Sequence, residues 1–254
     1  MLFNTKFDLI VSLGEDCACS SYLRRFALQE CSFPFDWLTN AALSMRIQLL
    51  ENDFDIFLKK ENLHMIPRPV VSDVHCDYYE DKKTTLYFYH DFPIGIDLEE
   101  SFSSVKEKYN RRIQRLYKMV NTSKKVLFVW WTRNKKHTLE EIDVYYDRLK
   151  KKFDGTEIFM LILQNSLSKK IDYSNNNHIV FIRDKIASDI NVTLGDKQLN
   201  TYYFKQIQKK LTYRKQLSYV LYKALRFLSC CIVGRNLRHK FRNYIKMRIL
   251  HAKL

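Results

Sequence analysis

Apolar runs of five to seven residues, separated by amphipathic stretches, set the tightest limit on how this chain folds. Residues 7–13 (FDLIVSL), 125–131 (KVLFVWW), 157–163 (EIFMLIL) and 178–182 (HIVFI) are more continuous than half-exposed strands allow. A strand buried on one face alternates apolar and polar residues, whereas one covered on both faces does not. Between the runs lie segments with helical spacing: 18–29, 41–51 (AALSMRIQLLE), 101–120 and 138–152. In 101–120 the apolar positions Val105, Tyr109, Ile113, Leu116 and Val120 recur every three or four residues. The pattern predicts an α/β fold in three layers, a mostly parallel sheet with helices on both faces. A further β-rich run, 84–89 (TTLYFY), is expected to join the sheet; residues 52–83 carry no readable period.

Charge divides the chain more sharply than composition does. Residues 205–254 contain 14 Lys and Arg and no Asp or Glu, while residues 1–204 hold 29 basic against 28 acidic side chains. The reading is a nearly neutral α/β domain over 1–204 and a basic amphipathic helical extension over 205–254. In 216–233, Leu217, Val220, Leu221, Ala224, Leu225, Leu228 and Ile232 share one helical face, opposite Lys223 and Arg226. In 235–250, Leu237, Phe241, Tyr244 and Ile245 share a face, with Arg238, Arg242 and Lys246 largely across from it. Lys223 and Arg226 fall too centrally for a membrane span. The expected partner of the tail is an anionic membrane surface. The next reading is a helical pair that packs on the domain and leaves its basic face in water, and nucleic acid comes last, because no recognition motif accompanies the charge. The N-terminal stretch lacks the apolar core and cleavage site of a signal peptide. Cysteines 17, 19, 31, 76, 230 and 231 follow no disulfide or zinc spacing, so a reducing cytoplasm is expected, with attachment to the inner membrane face through the tail.

Open parallel sheets place their sites at the carboxyl ends of the strands. The residues there are Gly14, Glu15, Asp16 and Cys17; His90 and Asp91; Thr132, Arg133 and Asn134; Gln164 and Asn165; Arg183 and Asp184. Gly14 permits a sharp strand-to-helix turn, and Asp16 is positioned to cap a helix that Cys17 opens. A helix N-terminus lowers a thiol pKa, while Glu15 and Asp16 act the other way. A catalytic Cys17 is expected to alkylate faster at pH 7 than the other five cysteines. His90, ending an apolar strand, is the preferred base, His75 the second choice, and His64, His137 and His178 read as loop or helix-surface residues. The third member of a thiol triad is open among Asp91, Asn165 and Asp184. In FPFDW (33–37), Asp36 is expected to cap a helix, to hold Arg24 or Arg25, or to line the pocket beside Trp37.

The strings VSLGEDCACSSYLRRF (11–26), FPFDWL (33–38), DFDIFL (53–58), YHDF (89–92), YNRRIQRL (109–116) and KKVLFVWWTR (124–133) resemble a bacterial family of papain-like cysteine peptidases over residues 7–185. Its members are often found among genes for capsular or other surface polysaccharides. The resemblance implies Cys17 as nucleophile and His90 as base. The strand-end and FPFDW readings add Gly14, Asp36, Trp37, Arg133 and Asn165 around a substrate whose acyl, ester or peptide bond is attacked. The strand–Gly–x–x–Cys–helix start also looks like cysteine-dependent acyltransferases and like esterases with a flavodoxin-like sheet. No metal or cofactor is called for, acyl-CoA being a candidate donor. The rival reading is a non-catalytic binding or scaffold protein with an inert Cys17.

Overall fold

The computed structural model describes residues 2–67, 75–174, 177–187, 194–210, 213–232 and 234–250. The chain runs β1 (Leu9–Ser12), α1 (Cys17–Arg25), β2 (Leu38–Asn40), α2 (Leu43–Glu51), β3 (Leu63–Ile66), β4 (Cys76–Asp81), β5 (Leu86–Pro93) and α3 (Leu98–Asn121). It continues through β6 (Lys125–Thr132), α4 (Leu139–Lys152), β7 (Glu157–Asn165), β8 (Lys170–Tyr173), β9 (Ile179–Asp184) and α5 (Lys197–Lys205). Helices α6 (Tyr213–Leu228) and α7 (Arg235–Leu250) follow. Two compact units result, Met1–Gln208 and Lys209–Leu254.

The first unit is a three-layer α/β fold. Its main sheet has the order β1-β6-β7-β9-β8; the first four strands are parallel and β8 closes one edge antiparallel. Alternate residues of each strand serve opposite layers. Val126, Phe128 and Trp130 of β6 pack with Ile47 of α2, Val105 and Leu116 of α3, and Ile142 and Leu149 of α4. Leu127, Val129 and Trp131 pack with Tyr22 and Leu23 of α1 and Tyr203 and Phe204 of α5. Both faces are covered, which is why these strands read as unbroken apolar runs. Each fully buried Leu, Ile, Val or Phe contributes about 1.5–3 kcal/mol.

Strand β1 is shorter than the apolar run suggests, because Asp8 is not a ladder residue of the sheet. Its carboxylate accepts the backbone N–H groups of Lys124 and Lys125 and pins the start of β6. The run at 84–89 does not join the parallel sheet. It belongs to β5, in a separate antiparallel sheet of order β2-β5-β4-β3 inserted between α1 and α3. This sheet packs its Leu38, Tyr79, Leu86, Phe88 and Phe92 into the α2–α3 side of the core.

The second unit consists of α6 and α7 packed on each other. Ile245 is buried, and the Ser229 hydroxyl accepts from Arg242 Nε at 2.7 Å. The side chains of Lys223 and Lys246 lie outside the described residues.

Helix α1 meets the end of β1 at very close range. A Cβ placed on Gly14 would lie 2.3 Å from Cys19 Cβ, and Gly14 is not in the left-handed region. The glycine is required for approach, not for the turn conformation expected from the sequence. Gly14→Ala is expected to cost about 1–3 kcal/mol through overpacking, read as a lower denaturant midpoint with an unchanged slope.

Candidate active site

Cys17 is the first residue of α1, at the carboxyl edge of the parallel sheet. Asp16 is the N-cap: its carboxylate accepts the Ala18 N–H at 2.7 Å and Arg133 Nε at 3.0 Å. Glu15, beside it, is buried and turns the other way. Its Oε2 accepts the Thr132 hydroxyl at 2.6 Å and the backbone N–H groups of Arg133 and Asn134 at 2.9 and 3.4 Å. The two carboxylates thus bind the loop before α1 to the end of β6. Below them Arg46 of α2 is fully buried. Its Nη2 donates to the carbonyls of Glu15, Leu38 and Asn40 at 3.2–3.3 Å, and its guanidinium lies over Phe35 and Trp130.

These contacts shape two clefts. One, of about 280 Å³, has Glu15, Asp16, Arg133 and Asn134 on one side and Thr39, Asn40, Tyr87 and Tyr89 on the other. It lies where the parallel-sheet edge meets the antiparallel sheet. The other, of about 460 Å³, is lined by Arg133, Lys136, Gln164, Asn165, Ser166, Lys185 and neighbouring residues. Arg133 therefore borders both, stacked over Trp131 at 4.8 Å. Asn165 reaches the larger cleft, with its Oδ1 accepting the Ala187 N–H. Gly14, Cys17, Asp36, Trp37 and His90 line neither.

The Cys17 thiol is half-buried, and its pKa is pushed up to about 11. Burial is the main cause and the Asp16 charge the second, while the backbone of Cys17 itself, Arg133 and Arg24 pull the other way. Desolvation outweighs the helix end, so the expected fast alkylation at pH 7 does not follow from this geometry. Cys19 is fully buried, bonded to the Val129 carbonyl and raised to about 12. No disulfide joins any of the six cysteines.

His90 does not sit at the carboxyl rim. It is an exposed residue within β5 of the antiparallel sheet, with its ring edge-on to Trp37 at 5.5 Å. Trp37 in turn lies under Arg24 of α1 at 4.6 Å, so His90 neighbours α1 through one aromatic ring. Among the described residues no hydrogen bond joins Cys17 Sγ to an imidazole. Partial desolvation lowers the His90 pKa, with Asp91 opposing. Asp91 points to the opposite face of β5, as strand alternation demands. It is buried, accepts the Tyr109 hydroxyl at 2.8 Å and pairs with Lys108 at 2.6 Å. The geometry gives it a packing role rather than the orienting role expected for it. Asp184 accepts the Tyr203 hydroxyl. His75 is exposed beside β4.

The imidazole at the carboxyl edge is His137, which the sequence presents as a surface residue. It follows β6, its side chain is 7% exposed, and its Nε2 is buried with no hydrogen-bond partner. Its ring meets Trp130 and Tyr145 edge-on, and its backbone N–H donates to Gln164 Oε1 at 2.7 Å. Burial lowers its pKa. The only sequence signal was its place just past an apolar strand.

Asp36 is fully buried. Its Oδ2 accepts from Arg24 Nη2 at 2.8 Å, Phe33 N–H at 2.8 Å and Gln29 Nε2 at 2.5 Å. It ties α1 to the PFDW turn. Among the described residues no three His, Cys, Asp or Glu side chains form a cluster suited to a metal ion.

Residues 8–165 match the model of the family described as "Putative papain-like cysteine peptidase (DUF1796)". The chain belongs to this family. The match takes in β1, the Cys17 helix, the antiparallel sheet, β6 and β7, and stops before the second unit. An uncharacterized protein of Acanthamoeba polyphaga mimivirus is 29% identical over 134 residues, covering 48% of this chain. The chain spans 60% of that viral protein's length. No solved structure matches the chain. Family membership supports a cysteine-peptidase-like reading of the site, and the fold beside Cys17 is a parallel sheet.

Two measurements test the site. Iodoacetamide should label Cys17 slowly at pH 7, behind the exposed Cys230 and Cys231, with a rate rising about tenfold per pH unit towards 11. Peptide-resolved mass spectrometry across pH reads this directly, and a plateau near pH 7 would show the burial effect to be absent. Arg46→Ala should cost about 3–5 kcal/mol, because three carbonyls lose their donor and a buried volume empties. Equilibrium denaturation checks it.

Proposed function

We propose that Cys17 is the nucleophile of a thiol-dependent hydrolase or acyltransferase, with the 280 Å³ cleft receiving its substrate. The observation that supports this most is the position of Cys17. It opens a helix at the carboxyl edge of a parallel sheet, next to that cleft's Asp16, within the electrostatic reach of Arg133 and Arg24. In the reaction the thiol proton passes to a base and the sulfur attacks an acyl carbon. The C–S bond forms as the leaving group departs with a proton, and water or an acceptor then cleaves the thioester. The Cys17 N–H, at the start of the helix, is suited to the developing oxyanion, the Ala18 N–H being held by Asp16.

His90, its pKa lowered by partial desolvation, is the proposed proton acceptor, reaching the thiol through water or a substrate group. The donor is an acyl, ester or peptide group, acyl-CoA included. A place in surface-polysaccharide assembly rests on the sequence resemblance alone. One observation favours a second reading, a binding or scaffold protein: the thiol is held protonated, and among the described residues no imidazole is bonded to it.

Incubation with p-nitrophenyl acetate or acetyl-CoA, followed by intact and peptide mass analysis, separates the two. The proposal expects a single acyl group on the Cys17 peptide, absent in Cys17→Ala. His90→Ala should slow acylation about a hundredfold. Retained acylation in His90→Ala, with loss in His137→Ala, moves the base to His137. Acyl groups confined to Cys230 or Cys231, or none at all, would overturn the catalytic reading.

A further inference from the structure

We propose that residues 209–254 form a binding module for anionic lipid surfaces, independent of the chemistry at Cys17. Helix α6 leaves an apolar stripe in water: Leu217, Val220, Leu221 and Leu228 are 51–62% exposed, and Ala224 on the same face is exposed too. Their spacing of three and four residues makes one continuous face. Phe227 beside it is 78% exposed. On α7, Leu237 and Tyr244 are exposed at helical spacing, while Ile245 is turned inward. Ile245 apart, these side chains present one apolar face to water. A small domain has no use for such a face in isolation.

Charge selects the occupant. Every ionisable Lys, Arg, Asp or Glu side chain in 205–254 is basic, 14 in all. Arg226 is exposed and lies half a helical turn from Leu217 and Leu228; Lys240 is exposed on α7. A second copy would bring like charge against like charge. Nucleic acid would neutralise the lysines and arginines but leave the leucines in water. An anionic bilayer satisfies both features, taking the leucines and Phe227 at the acyl boundary and the basic groups at the headgroups. No helix among the described residues is long and apolar enough to cross a membrane, which fits a helix lying in the interface.

The test uses the full chain with phosphatidylcholine vesicles, with and without phosphatidylserine, in co-sedimentation. Binding is expected only where phosphatidylserine is present. It should weaken as salt shortens the Debye length from about 10 Å at 0.1 M to about 3 Å at 1 M. The triple change Leu217→Ser, Leu221→Ser, Leu228→Ser should lower the partition coefficient about a hundredfold. The pair Arg226→Gln, Lys240→Gln should lower it about tenfold or more. Far-UV circular dichroism checks that α6 persists, and the charge pair keeps the test open should the triple variant unfold. Equal binding to neutral vesicles, or none, overturns the proposal. So does a leucine-insensitive preference for duplex RNA, or a dimer that the leucine changes dissolve.

Discussion

A single buried guanidinium holds the two sheets in register. Arg46 projects from α2 into the core, where water cannot solvate it, and burial draws its pKa down to about 10. It is still charged at neutral pH, so the structure must supply what water would. Three carbonyls do so, one from the loop after β1 and two from β2, with the rings of Phe35 and Trp130 against its faces and the Glu15 charge nearby. All three carbonyls share the one nitrogen Nη2, while Nε and Nη1 are buried without a hydrogen-bond partner among the described residues, so the aromatic faces and the Glu15 charge carry the rest of the guanidinium. Both sides of the smaller cleft, Glu15 on one and Asn40 on the other, are held by that one side chain.

On this base, adjacent carboxylates divide the work of building the edge. Glu15 points inward and satisfies donors at the end of β6, where the sheet's own hydrogen bonding runs out. Asp16 caps α1 and holds Arg133 across the two clefts. Asp36 closes the other flank by tying Arg24 to the PFDW turn, and burial raises its pKa to about 6 despite Arg24. In the unfolded chain this carboxyl titrates near its ordinary value of 3.8. The folded state therefore binds more protons between these values. The contribution of Asp36 to stability is full below pH 3.8 and is lost as pH rises through 6. Only a carboxylate with several donors is tolerated there at neutral pH.

The parallel sheet was legible because strands covered on both sides must be apolar throughout, and β6 and β7 obey that without exception in their interiors. The antiparallel sheet was not. Its strands β3 (LHMI) and β4 (CDYYED) are half-exposed, and a register shift between Asp77 and Tyr79 breaks the alternation that would betray them. Arg46 and His137 were missed for a related reason. Each is a polar residue whose burial depends on partners far away in sequence, and local pattern assigns such residues to the surface. Cys17 and its N-cap were readable from five consecutive residues, because capping is local chemistry. The placement of His90 was not, since it turned on which sheet β5 joins.

That distinction bears on how the thiol would be activated. At Cys17 five influences compete, and the unfavourable pair, burial and Asp16, outweighs its own backbone, Arg133 and Arg24. Asp16 is itself restrained by Arg133, the same guanidinium that borders both clefts. A carboxylate or phosphate entering the smaller cleft would draw Arg133 towards itself and leave the Asp16 charge less compensated, raising the barrier to forming a thiolate. A neutral acyl group would leave the Asp16–Arg133 pair intact and present a carbonyl to the Cys17 N–H. Within the proposed chemistry, the edge is therefore built for an uncharged acyl carbon next to Cys17, with anionic portions of a substrate better placed in the larger cleft, where Lys136 and Lys185 join Arg133.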